Sequence, residues 1–104
     1  MSANNRREMI ESMLAETPND PELRYMLAME HASAGDDAGA ARCFQELIQV
    51  APNYPPAYHQ GGRTLQRLDR IAEARALLTQ GIPIAEKQGD SHAAGEMTEL
   101  LHSL

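Results

Sequence analysis

Histidines at positions 31, 59, 92 and 102 are the side chains best suited to acid–base or metal chemistry near neutral pH. No two of them stand three or four residues apart, so no helical turn brings a pair of imidazoles together, and no H-E-x-x-H motif occurs. His59 therefore reads as a surface or partly packed side chain that can also hydrogen-bond a peptide. Cys43, the single cysteine, can make neither an intramolecular disulfide nor a multi-thiolate metal site. With no base or oxyanion donor implied beside it, Cys43 reads as a packing or surface thiol. Asp36-Asp37 lacks the alternating acids and glycine of a calcium loop. Gly61-Gly62 lies inside a helical pattern and follows no strand, so it is not a phosphate loop. The sequence predicts no catalytic residue, no metal site and no bound cofactor, hence no enzyme.

The arginines are more informative. Arg63, Arg67 and Arg70 are spaced i, i+4, i+7, a single stripe if one helix reaches position 70. Such a stripe can accept a carboxylate or an acidic peptide. The competing reading is a solvated face that balances the protein's own acids. Residues 55–80 carry a net charge of +2, between an N-terminal segment at −5 and a C-terminal one at −3.

These side chains must be positioned by a chain of 104 residues, the size of one small domain. Hydrophobic residues make up 42% and charged residues 23%, with a mean hydropathy of −0.47. That composition describes a soluble globular protein, not a disordered tail or a membrane protein. A net charge of −6 argues against a nucleic-acid partner, which needs a basic face to meet phosphate. The 4% of aromatics, with no tryptophan, argue against a large aromatic ligand pocket. Glu8, Glu11 and Glu16 interrupt any apolar stretch after Arg6-Arg7, so the sequence predicts no export signal and a cytoplasmic location. No apolar run approaches the roughly 18 residues of a spanning helix, so no membrane insertion is expected.

Caps and periodicity predict helices throughout. Asp20-Pro21-Glu22 opens one, with an N-cap carboxylate, proline in the first turn and an acid at the positive end of the helix dipole. Gly35 suits a left-handed C-cap and Asp36 an N-cap for the next helix, whose stripe is Ala40, Phe44, Leu47 and Ile48. Pro55-Pro56 opens a third, and Asp69 is expected to cap a fourth, with Ile71, Ala74, Leu77, Leu78 and Ile82 on its apolar face. Pro83 within that face should kink the helix or loosen its end. Gly89-Asp90-Ser91 breaks the chain before a last helix with Ala93, Met97, Leu100, Leu101 and Leu104 on one side.

Ile10, Phe44 and Leu78 stand 34 residues apart each time, as do Leu14, Ile48 and Ile82. Ala40 and Ala74, Ala28 and Gly62, Pro18 and Pro52, and Pro21 and Pro55 keep the same phase. This pattern resembles the tetratricopeptide repeat (TPR), whose first helix carries W-x2-L-G-x2-Y and whose second carries A-x3-F before a proline. The matching positions are Arg24, Leu27-Ala28 and His31 in the first repeat, and Tyr58, Gly61-Gly62 and Leu65 in the second. Ala40, Phe44 and Pro52 match the second-helix motif, while the later copy has Ala74 and Leu78, with Glu86 at the proline position. Arg24 and His31 depart from the large packing residues expected there.

The resemblance implies an all-α, right-handed superhelical stack. Its parts would be a half-repeat helix at 4–17, repeats at 21–54 and 55–88, and a capping helix at 90–103. Its concave side would be lined by 21–34 and 55–68. The resemblance also implies a non-enzymatic interaction module, with a protein or peptide as partner. Contacts are expected at Tyr25, Met29, His59, Arg63, Gln66 and Arg67. Met26 and Met29 offer either an adaptable contact surface or inter-helix packing. The groove is expected to prefer an acidic segment, from a partner or from the chain's own C-terminal region with Glu96 and Glu99. Some chaperone-binding members hold a peptide carboxylate with Lys and Asn on successive first helices; that set is missing here, so the specificity does not carry over. The second reading is self-assembly as a homodimer or oligomer through a terminal helix, because Met9-Ile10 and Met13-Leu14 form an apolar face that asks for a partner.

Overall fold

The computed structural model describes residues 3–104, and side chains from residue 5 onward. Six helices follow one another: α1 (Ala3–Glu16), α2 (Pro21–Ser33), α3 (Asp37–Val50), α4 (Pro55–Arg67), α5 (Ile71–Lys87) and α6 (Ser91–Ser103). No strand occurs among the described residues.

Local chemistry explains the boundaries. The Asp20 carboxylate accepts from the Glu22 and Leu23 amides at 2.9 and 3.2 Å, satisfying two donors that the first turn of α2 leaves open. Asp36 accepts from Gly39 N at 3.0 Å and Asp90 from Ala93 N at 3.0 Å, starting α3 and α6. Proline occupies the first turn of both α2 and α4, where a missing N–H costs nothing. Gly35 follows α2 at φ 80° and Gly89 follows α5 at φ 73°, the left-handed bend that closes a helix.

One expectation is corrected. Asp69 does not cap α5; it sits at φ 59° just after α4, doing with a side chain what Gly35 does 34 residues earlier. The N-cap of α5 is Arg70, which supplies no side-chain cap bond. α5 runs on through Pro83 to Lys87. The Pro83 ring is exposed, so its bulk meets water rather than a neighbouring helix.

Each helix packs on its neighbour in sequence, and the core is threaded through the stack. Ala28, Ala40, Phe44, Leu47 and Ala57 form one buried cluster between α2, α3 and α4. Tyr58, Leu78, Ala85, Ala94 and Met97 form a second between α4, α5 and α6. Glycine lets the second hairpin close tightly. A Cβ on Gly62 would lie 2.8 Å from a methyl of Leu78, and one on Gly81 would collide with Tyr58 Cβ and stand 2.8 Å from Met97 Sδ. Close approach of the paired helix is thus the reason for Gly62.

Two further contacts set the shape. α2 touches α4 and α4 touches α6, whereas α1, α3 and α5 touch no other member of their own row. α2, α4 and α6 thus form the more closely spaced row of the stack, the inner row. No helix is long and apolar enough to cross a membrane among the described residues.

Candidate functional site

The expected contact residues lie on two helices, Tyr25 and Met29 on α2 and His59, Arg63, Gln66 and Arg67 on α4, and packing has already engaged several of them. Tyr25 on α2 is half-buried, its ring tilted against Phe44 at 6.1 Å between centroids and edge-on to Tyr54 at 5.9 Å. Burial pushes its phenol above the ordinary value. Met29 packs against the Phe44 cluster. Met26, one turn earlier, is 47% exposed and is the thioether that α2 offers to solvent.

On α4, His59, Arg63 and Gln66 face Glu96, Glu99 and Leu100 of α6 across a shallow depression of about 350 Å³. Burial pulls the His59 imidazole below its ordinary value of 6.5. Glu96 opposes that shift, while Arg63 and His92 add to it. Near neutral pH His59 is therefore an uncharged donor and acceptor.

The three arginines part company. Helix α4 stops at Arg67, so Arg70 is not on the stripe. Arg70 turns onto Glu73, with Nε and a terminal nitrogen 2.6 and 2.7 Å from the two carboxylate oxygens. Arg67 Nε donates to Asp37 Oδ1 at 3.1 Å and its terminal nitrogen reaches Thr64 Oγ1 at 3.2 Å, tying α4 to the start of α3. Among the described residues, Arg63 is the member of the set with no internal ion pair. The cation left for a ligand is one side chain, and the wall opposite it is acidic.

The two unusual residues of α2 have polar work at its ends. Arg24 Nε donates to the Pro18 carbonyl at 2.6 Å and a terminal nitrogen approaches Glu46 at 3.3 Å. His31 Nδ1 lies 3.0 Å from Asp36 Oδ2, bracing the carboxylate that caps α3. The Gly39 amide and then His31 hold the Asp36 carboxyl below the usual range. Cys43 is half-buried against the Phe44 cluster, and burial, with help from Glu46, pushes its thiol up, so thiolate is scarce near neutral pH. No group of three or more His, Cys, Asp or Glu is arranged to hold a metal among the described residues.

No family profile matches the sequence. A TPR repeat-containing protein of Pseudomonas aeruginosa is 33% identical over 97 residues, covering 93% of this chain and 92% of the relative. This chain belongs to the tetratricopeptide repeat family. The crystal structure of a TPR domain protein from Salinibacter ruber superposes with a TM-score of 0.76 at 32% identity, covering 81% of this chain and 93% of that one. The solution structure of a Bordetella parapertussis protein gives a TM-score of 0.80 at 27% identity, covering 93% and 84%. The all-helical stack of this TPR protein is therefore shared with solved relatives, and the family is one of interaction scaffolds.

The sequence of this TPR chain names Glu96 and Glu99, which face Arg63, but does not place Leu100 on that wall. Leu100 was assigned to the apolar side of the last helix, yet it also borders the depression beside Arg63. Nothing in the spacing of α6 marks this, because it follows from where α5 delivers the chain. The ion pairs of Arg67 and Arg70 carried more signal: Asp37 and Glu73 each stand in the first turn of the helix they start.

Proposed function

We propose that the chain is a non-enzymatic protein-interaction module whose inner face receives a peptide or a partner helix. Its parts are a half-repeat helix, two repeats and a capping helix. Arg63 carries this reading: it is the inner-row arginine that forms no ion pair among the described residues, and it stands beside a neutral His59 and Gln66. Arg63 takes an acidic group of the ligand, His59 and Gln66 hydrogen-bond its backbone, and Met26 with the exposed edges of Tyr25 and Met29 receives an apolar side chain. Arg67 supports the face from its ion pair with Asp37. Glu96 and Glu99 exclude a second acid next to the first, so the preferred segment is apolar with one acidic residue rather than a run of acids.

Selection from a displayed peptide library tests this. Enriched peptides should carry one Asp or Glu beside an aliphatic residue. Their binding should weaken as salt is raised, and Arg63→Glu should abolish it with the helical circular dichroism intact. Enrichment that ignores Arg63→Glu would move the site off this face. A second reading, self-assembly through a terminal helix, is favoured by the exposure of Met9 and Met13 at 50% and 47%.

A further inference from the structure

The 34-residue phase gives those two methionines a reference inside the same molecule. Met9 is the counterpart of Cys43 on α3 and Leu77 on α5, and Met13 is the counterpart of Leu47 and Gly81. Leu47 has no exposed surface and clusters with Ala28 of its hairpin partner α2, and Gly81 is buried against Tyr58 of its hairpin partner α4, with Ala57 and Met97 of the following helices also close. Among the described residues α1 packs on α2 alone, with no helix against its other side. Its other apolar residues are accounted for: Ile10 is buried at 5% and Leu14 is half-buried. Met9 and Met13, one turn apart, therefore mark the side of α1 that a first helix would cover.

From this we infer that a second copy of the chain covers it, α1 packing antiparallel against α1 about a two-fold axis that passes between Met9 and Met13. The inference rests on the self-assembly reading and names its surface. Charge selects the direction. Arg6 stands three residues before Met9 and Glu16 three after Met13, so both flank the methionine pair on its own face. Antiparallel pairing sets Arg6 beside Glu16 of the second copy at both ends, whereas parallel pairing would set like charges together. Arg6 is bonded to Glu30 through Nε at 3.1 Å, yet its side chain stays 51% exposed, leaving terminal nitrogens for a second carboxylate. The other end of the stack does not compete, since the exposed residues of α6 are all serine, histidine, glycine or glutamate. A head-to-tail array would seat methionine on that polar surface.

One helix face per copy is a small interface, at the low end of specific contacts. The association is therefore concentration-dependent. Sedimentation of the full chain should show a mass near 11.4 kDa when dilute, rising toward twice that at high concentration. Met9→Lys with Met13→Lys should hold the chain at the monomer mass with unchanged circular dichroism, because both side chains already face solvent. The register has its own test in a Cys43→Ser background. Chains carrying Met9→Cys and chains carrying Met13→Cys should cross-link to each other at least several-fold faster than either does to itself. A wild-type chain that stays monomeric at every concentration overturns the inference together with the self-assembly reading. A dimer that survives the double lysine change, or faster self-cross-linking of Met9→Cys, overturns this surface and leaves self-assembly standing elsewhere.

Discussion

The α2–α3 hairpin and the α4–α5 hairpin solve one packing problem by different means. In the first, both helices are started by carboxylate caps, Asp20 and Asp36, and the turn after α2 is a glycine. In the second, the N-caps are Tyr54 and Arg70, neither with a side-chain cap bond, and the turn after α4 is Asp69 in the left-handed region. The second hairpin compensates in its interior, where Gly62 and Gly81 let α4 and α5 approach until Leu78 and Tyr58 side chains meet backbone, and Gly81 also admits Met97 of α6. A repeat can thus be held from its ends or from its middle, and the two kinds of support fail under different substitutions.

The largest effect separates the cores. Phe44→Ala should destabilise by about 3 to 5 kcal/mol, since the ring is 1% exposed and no neighbour can fill the space it leaves. Leu78→Ala, the same position of the second hairpin, should cost about 2 to 5 kcal/mol, read by denaturant unfolding at equal m-value. A loss below about 1 kcal/mol at either site would mean that its cluster is not the core. Next comes Gly81→Ala, which should cost about 1 to 3 kcal/mol by forcing α5 away from Tyr58 and Met97. A neutral outcome would dissolve the contrast, because the second hairpin would then not depend on close approach.

The ends give smaller effects of opposite sign. Asp20→Ala should lose about 1 kcal/mol, the worth of a side-chain cap on two amides. Asp69→Gly should gain about 0.5 to 1 kcal/mol by relieving a left-handed residue that carries a Cβ. Thermal midpoints of the two variants should move in opposite directions; a fall in both would show that Asp69 has a role beyond the turn.

The smallest effect is with pH. His59 has its value lowered by folding, so its contribution is complete above the ordinary value of 6.5 and is lost as pH falls through the folded value. Stability should therefore decline slightly below neutrality, and His59→Gln should remove that part of the decline. An unchanged pH profile in the variant would assign it to other groups.

The 34-residue phase made six helices and most of their caps readable, because caps and stripes are local and repeat with the chain. Gly81 and Asp69 carried the same kind of signal, one phase beyond Leu47 and Gly35, but composition alone reads a glycine in a helix as weakness and an aspartate before one as a cap. The candidate site was less legible. Whether Arg67 is free or paired depends on where Asp37 lies across two helices, and whether Met26 or Met29 faces out depends on the tilt of α2 on α3. Neither is written in spacing.

Because the backbones of α2, α4 and α6 approach one another in a continuous row while those of α1, α3 and α5 do not, the molecule's resistance to bending is greater on one side. Its neutral axis runs along the inner face. Flexing the stack changes the spacing of the outer helices, whose backbones stay farther apart, more than the spacing of the inner row. The inner row therefore keeps a nearly constant pitch, and changes of curvature are taken up by the outer helices.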